Sequence, residues 1–203
     1  MKIIVSIIMP NYNSEATILS SLISIRNQTY KYFECLIVDD NSSDDSLKLI
    51  KEFISNDQRF KLICSENNKG VSISRNLGIS LAKGRYLTFL DSDDIWEPSF
   101  LENNLNIRRK KDIPISHSPY IRFKITKSLS VKGFLVKPPI IINKVNIIKK
   151  NFLPLLTVFI DTKIVGKIKF NKIRPEDYDL WLNLIKYDQF YSISTKKIAC
   201  LYR

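Results

Sequence analysis

Ile3-Ile4-Val5-Ser6-Ile7-Ile8-Met9, closed by Pro10-Asn11-Tyr12-Asn13, is the stretch from which the fold can be read. A continuous apolar run of this length is the pattern of a strand buried on both faces, and such strands belong to parallel sheets covered by helices. The chain beyond it keeps the same logic. Asn13 and Ser14 can cap a helix, and Ile18/Leu22 with Leu19/Ile23 repeat at i,i+4, predicting an amphipathic helix that ends near Gln28. A second strand is predicted over 33–38. It leads to a helix opening in Ser42-Ser43-Asp44-Asp45 and carrying Leu47, Ile50 and Ile54. A third strand over 60–64 passes through Glu66-Asn67-Asn68-Lys69-Gly70 to a helix bearing Ile73, Leu77 and Leu81, with Gly84 expected as its stop. A fourth strand over 86–90 ends in Asp91-Ser92-Asp93-Asp94, and Pro98 opens another helix. Strand and helix alternating in this way predict an α/β fold with a mainly parallel central sheet flanked by helices.

The second half is less regular. Strands are predicted near 115–125, 129–136 and 156–160, with a short helix over 143–151. A longer helix over 176–187 carries Leu180, Trp181, Leu184 and Ile185, and a last strand runs from Phe190 to about Leu201. No repeat or linker divides the chain, so one domain over 1–203 is expected, large enough to bury roughly 70% of its unfolded surface.

Hydrophobic residues make up 44% of the chain and charged ones 26%, which excludes a disordered, collagenous or coiled-coil protein. The net charge of +12 asks for an anionic partner, whether nucleic acid, lipid headgroups or a phosphorylated small molecule. Arg108-Arg109-Lys110-Lys111, Lys149-Lys150 and Lys196-Lys197 either suit peripheral contact with an anionic membrane or form a solvated face. A nucleic-acid module would use the charge on phosphates but gives no reason for acidic strand ends, so no nucleic-acid partner is expected. Cys35, Cys64 and Cys200 lack any C-x-x-C spacing and read as neither a disulfide framework nor a zinc site, which fits a reducing compartment. The opening apolar run is too short for a signal segment or a bilayer span. A cytoplasmic protein, at most peripheral at the inner membrane face, is the expectation.

Carboxylates stand at the ends of strands two and four, where ligands bind in open α/β sheets. Asp91, Asp93 and Asp94 repel one another unless a cation sits among them. Magnesium or manganese, held by one or two carboxylates plus substrate phosphates, is the natural partner. In an extended strand end Asp91 and Asp93 share a face while Asp94 enters the turn, so one carboxylate would hold metal and another a ribose hydroxyl. An Asx-rich capping turn is the plain alternative. Asp39-Asp40-Asn41-Ser42-Ser43 can accept the imide N–H of a base or a ribose hydroxyl. Tyr12 either stacks on that base or is an ordinary turn aromatic. Only five glycines occur, and none forms G-x-G-x-x-G or a P-loop, so a diphosphate must be neutralised by the metal and Arg75, unless Arg75 is a plain surface residue. His117, the single histidine, reads as structural.

Five segments in order carry a resemblance. They are Val5-Ser6-Ile7-Ile8-Met9-Pro10-Asn11-Tyr12-Asn13, Val38-Asp39-Asp40-Asn41-Ser42-Ser43-Asp44, Ser74-Arg75-Asn76-Leu77-Gly78, Leu90-Asp91-Ser92-Asp93-Asp94 and Pro175-Glu176-Asp177-Tyr178-Asp179-Leu180-Trp181. With them the whole chain resembles the GT-A-fold family 2 glycosyltransferases. The resemblance implies a single domain with a Rossmann-like nucleotide-binding half over 1–96 and a smaller acceptor half over 97–203. It implies inverting transfer of a sugar from a nucleoside-diphosphate sugar, a UDP-sugar before a dTDP- or GDP-sugar. The acceptor would be a hydroxyl of a saccharide or lipid-linked saccharide in bacterial surface-polysaccharide assembly, and Mn2+ or Mg2+ the cofactor. Pro10, Tyr12 and Asp40 would surround the base, with Asp39 also among the nucleotide-sugar-binding residues; Asp91 and Asp93 would meet the ribose or sugar, and Arg75 the diphosphate. Asp94, with Asp93, would hold the metal. Asp177 would be the general base and Glu176 would help position the acceptor; without the resemblance this pair reads as favourable charge at a helix N-terminus. Trp181 is expected in the core. Relatives continue past the Tyr-Arg pair, here Tyr202-Arg203, to a metal-binding histidine and a closing segment. The sequence ends before these, so a weaker metal site is expected, with a catalytically impaired nucleotide-sugar-binding relic as the alternative.

Overall fold

The computed structural model describes residues 4–108, 112–125, 131–186 and 190–202. The first half alternates as expected: β1 (Val5–Asn11), α1 (Ile18–Arg26), β2 (Phe33–Asp39), α2 (Ser46–Ile54), β3 (Phe60–Cys64), α3 (Val71–Leu81) and β4 (Tyr86–Phe89). These strands lie parallel in the order β3-β2-β1-β4. Then come β5 (Ile95–Trp96), α4 (Phe100–Arg108), β6 (Ile115–His117), β7 (Tyr120–Ile125), β8 (Val131–Val136), β9 (Ile141–Asn143) and α5 (Lys144–Lys149). A 3-10 turn over Leu155–Thr157 precedes β10 (Val158–Asp161), α6 (Thr162–Val165), α7 (Glu176–Leu184), β11 (Tyr191–Ser194) and β12 (Cys200–Tyr202). β10 joins antiparallel beside β4, and the sheet continues through β6 and β11 to β9 at its edge. The sheet therefore runs through both expected halves. A smaller sheet, β5-β12-β7-β8, stands apart from it.

The pleat sorts the core. Val5, Ile7 and Met9 of β1 pack with Ile18, Leu22 and Ile25 of α1 and with Ile50, Phe100 and Leu101. Ile8 and Leu36 point the other way, toward Ile147, Leu180, Trp181 and Leu184 from α5 and α7. This alternation is what burial on both faces requires of a strand with period two. Trp181 is fully buried and its indole N–H donates to the Leu153 carbonyl at 2.9 Å, as a core residue should.

Several elements depart from the expected boundaries. α1 starts at Ile18 rather than after Ser14, because the Ser14 carbonyl first accepts from the amides of Thr17 and Ile18 in a turn. α3 ends at Leu81 with Ala82 as its cap, so Gly84 is not its stop. A Cβ at Gly84 would lie 2.6 Å from the Ser6 backbone nitrogen, so the glycine serves the close pass of the chain beside β1. The single strand expected over 115–125 is two strands in two sheets, broken at Ser118-Pro119; likewise 190–201 divides into β11 and β12, with Lys196 at φ 61° between them. Leu129, Tyr187 and Arg109 to Lys111 lie outside the described residues. Among those described, no helix is long and apolar enough to cross a membrane.

Candidate active site

The C-terminal ends of β1, β2 and β4 open on a cleft of about 380 Å³ lined by Pro10, Asn11, Tyr12, Asp40, Asn68, Gly70, Val71, Ser74, Asp91, Ser92 and Arg174. Parallel strands with helices on both sides leave such a crevice where the loops diverge. Pro10, Tyr12, Asp40 and Asp91, singled out from sequence, thus share one cavity. Tyr12 is 51% exposed, so its ring is an open surface and not a packed turn aromatic.

The walls are fixed by side chains on the strand ends. Asp39 is fully buried, and its carboxylate accepts from Asn11 Nδ2 at 2.6 Å, the Ser42 amide at 3.0 Å and Ser42 Oγ at 2.6 Å. It ties the β1 and β2 loops together and is not among the residues that line the cleft. The same knot explains the positive φ of Asn13 (46°) and Asn41 (65°), residue types that tolerate the left-handed region. Asp40 turns the other way. It accepts the amides of Lys69 and Gly70 at 2.9 and 2.7 Å, holding the loop before α3, while its edge borders the cleft.

The acidic run after β4 is a turn and not an extended strand end, since the Asp94 amide reaches the Asp91 carbonyl at 3.2 Å. Asp91 and Asp93 therefore do not share a face by strand alternation, which corrects that expectation. Asp91 lines the cleft, Asp93 is exposed on the turn, and Asp94 is buried. Thr17 Oγ1 donates to the Ser92 carbonyl at 2.8 Å and pins the turn to the head of α1.

Arg75 is buried and belongs to the site, not to the surface. Its Nη2 donates to both oxygens of Asp91 at 2.7 and 3.0 Å, and its Nη1 to Glu176 Oε1 at 2.9 Å. The guanidinium lies 5.4 Å from the Phe170 ring centroid. With both carboxylates upon it, it braces α7 against the turn after β4, and its charge is shared between Asp91 and Glu176. Arg174, exposed at the cleft wall, is the accessible charge that sequence reasoning missed.

Glu176 and Asp177 open α7, and Arg75 ties Glu176 to Asp91 on the cleft wall, with Asp177 next along the helix. Burial works against the Glu176 charge, but hydrogen bonds from its own amide and from Arg75, with the Arg75 charge, hold its carboxyl below the ordinary value. For Asp177 burial wins and pushes the carboxyl up, against donors from Asn151 Nδ2 (3.0 Å) and the Tyr178 amide (2.7 Å). Two adjacent carboxylates with pKa values driven apart are the arrangement from which a base is made. Asn151 is a second residue that sequence reading missed.

His117 lies far along the sheet, fully buried, with Nδ1 2.7 Å from Ser192 Oγ and Nε2 2.9 Å from the Pro139 carbonyl. Burial pulls its pKa down to about 4, so it is neutral and structural. Arg108 is no surface cation either; it is buried and donates to the carbonyls of Ile113 and Phe159.

Among the described residues no three His, Cys, Asp or Glu side chains gather as a metal cage. The turn after β4 carries hard-oxygen donors of the kind that Mg2+ or Mn2+ takes, with the Asp93 side chain exposed and Asp94 buried.

A family model described as Glycosyl transferase family 2 matches residues 6–154. The chain is 37% identical over 201 residues to Escherichia coli UDP-Glc:alpha-D-GlcNAc-diphosphoundecaprenol beta-1,3-glucosyltransferase WfgD, covering 98% of this chain and 77% of the relative. Its fold matches the crystal structure of S. aureus TarS 1-349 in complex with UDP, with a TM-score of 0.76 over 98% of the chain at 22% identity. It also matches mannosyltransferase PcManGT from Pyrobaculum calidifontis in complex with GDP-Man and Mn2+, with a TM-score of 0.70 over 97% of the chain at 14% identity. The chain spans 60% and 56% of those two solved chains. At these identities the likeness is one of fold, and it bears out the α/β, GT-A-type architecture expected from the sequence.

Proposed function

From the premise that this chain belongs to glycosyl transferase family 2, we propose that it moves a sugar, with inversion, from a UDP-sugar to a hydroxyl of a lipid-linked saccharide in surface-polysaccharide assembly. The reading is carried by one observation: Arg75 ties Asp91, on the wall of the nucleotide-sized cleft, to Glu176, the neighbour of Asp177. Donor pocket and candidate base are thereby held as one unit. The names of WfgD and of the TarS complex, with their UDP-Glc, diphosphoundecaprenol acceptor and UDP, support the choice of donor and acceptor.

In this reading the base stacks on Tyr12 beside Pro10, with Asp40 accepting its polar edge. Asp91 and Asp93 receive hydroxyls of the ribose or sugar. Asp94 and Asp93 would hold a divalent cation, which when bound stabilises charge on the leaving diphosphate. Arg174 adds positive charge at the same wall. Asp177 takes the proton as the acceptor oxygen bonds to C1, while the C1–O bond to the phosphate breaks and its electron pair leaves with UDP. A base whose pKa is raised by burial holds that proton better at the moment of transfer.

A thermal-shift panel of nucleoside diphosphates with and without Mn2+ tests the donor half. UDP with Mn2+ should raise the melting temperature, and Asp94→Asn should remove the metal-linked part. Asp177→Asn should keep the shift and lose transfer by about 10²–10⁴-fold. Full transfer in Asp177→Asn would end its assignment as base. UDP binding without transfer by the parent would mark the chain as a binding relic.

A further inference from the structure

An apolar surface bordered by lysines lies beside α7. β9 is the edge strand of the large sheet, and its alternation sends Ile142 into the core while Ile141 stays 57% exposed; Ile140, just before it, is 55% exposed. α5 follows at once, started by a capping box between Asn143 and Asn146. It buries Ile147, whereas Val145 and Ile148, three residues apart and so on one face, are 58% and 61% exposed. Lys137, Lys149 and Lys150 are exposed beside them. Residues 113–160 contain eight Lys or Arg and no Asp or Glu, so nothing acidic in that stretch offsets the lysines. Scattered single aliphatics on a surface are ordinary, but four exposed within nine residues, set in an acid-free basic stretch, are more than scatter. The face is joined to the candidate site: Tyr178 Oη donates to the Ile148 carbonyl at 3.0 Å, and Asn151 holds Asp177.

We propose that this face docks on an anionic lipid bilayer. Ile140, Ile141, Val145 and Ile148 enter the boundary between headgroups and acyl chains, and Lys137, Lys149 and Lys150 meet the phosphates. The proposal rests on the lipid-linked acceptor reading. An acceptor carried on a membrane diphosphate presents its hydroxyl only a few sugars above the headgroups, which requires Asp177 to stand close to the bilayer. Charge selects the occupant: a second copy of this basic face would be repelled, while an anionic surface is complementary.

Flotation of the full chain with phosphatidylglycerol vesicles, against phosphatidylcholine vesicles, tests this. The parent should bind the anionic vesicles selectively and release them at high salt. Val145→Ser with Ile148→Ser should weaken that binding at least about tenfold, as should Lys149→Glu with Lys150→Glu, both keeping the UDP thermal shift of the parent. A parent that ignores phosphatidylglycerol, a Val145/Ile148 variant that binds as the parent does, or dimerisation through these residues in place of vesicle binding would overturn the proposal. Vesicle binding is read without nucleotide or transfer. Its failure therefore leaves the sugar-transfer reading standing, and vesicle binding by a chain that ignores UDP would fail that reading alone.

Discussion

Replacing Arg75 by Met removes the guanidinium that bridges Asp91 and Glu176. Losing one partner of a fully buried ion pair costs about 3–5 kcal/mol. Here the side chain of Asp91 is 37% exposed and that of Glu176 21% exposed. Water therefore recovers part of what they lose, and an exposed pair is worth no more than about 1 kcal/mol. A loss of about 2 kcal/mol at pH 7 follows. The sign with pH comes from Glu176, whose folded pKa lies below its ordinary value partly through Arg75. A depressed carboxylate contributes stability that is present above its unfolded pKa and is lost as pH falls through the folded one. The Met variant has already lost the Arg75 share of that contribution, so the gap between parent and variant should narrow from pH 7 to pH 4. Urea unfolding followed by the fluorescence of Trp96 and Trp181, both buried, reads it. Arg75→Lys keeps the charge without the fork that reaches both carboxylates, and should fall between the two. A gap under about 0.5 kcal/mol at pH 7, or one unchanged at pH 4, would refute the brace.

Asn151→Ala should raise the Asp177 pKa further, because its amide now donates to that carboxylate; the acidic limb of the transfer rate should move to higher pH, and an unmoved limb would count against Asp177 as base. His117 is held neutral with its pKa pulled down to about 4. The folded state then binds fewer protons than the unfolded one between that value and about 6.5, and stability should fall as pH drops through this window by on the order of 3 kcal/mol. His117→Gln should flatten that dependence in urea titrations at pH 7 and 4, and an unchanged slope would show that the histidine is not its source.

The first ninety residues were legible because β1 and β2 are buried along their whole length and apolar segments alternate with polar turns and helix-length stretches. Val5, Ile7, Ile8 and Met9 cannot be solvated from either side, and that alone demands helices above and below. From Ile115 onward the pattern misleads. Ser118-Pro119 interrupts a run that reads as one strand, and only tertiary pairing sends Ile115 to β10 and β11 but Tyr120 to β8 and β12. The same holds where Lys196 reverses the chain between β11 and β12. β5, two residues long, carries no periodicity that a sequence window could detect.

The candidate site was only partly legible: Pro10, Tyr12, Asp40 and Asp91 share the cleft, while the wiring behind it was not visible. A carboxylate at a strand end is visible in the sequence, but whether it faces ligand or protein depends on which donors the neighbouring loops deliver. Asp39 and Asp40 are adjacent, of one chemical type and both buried. The first meets Asn11 and Ser42 and is consumed, while the second meets two backbone amides and keeps an edge on the cleft. Arg75 shows the same in reverse. Its place early in α3 suggested a cation aimed at phosphate, yet Glu176 lies 101 residues further along the chain and arrives only through the packing of α7 on the sheet. With Asp91 and Glu176 both on its guanidinium, Arg75 couples the cleft wall to the head of α7. Arg75→Lys should accordingly disturb kcat more than the binding of UDP.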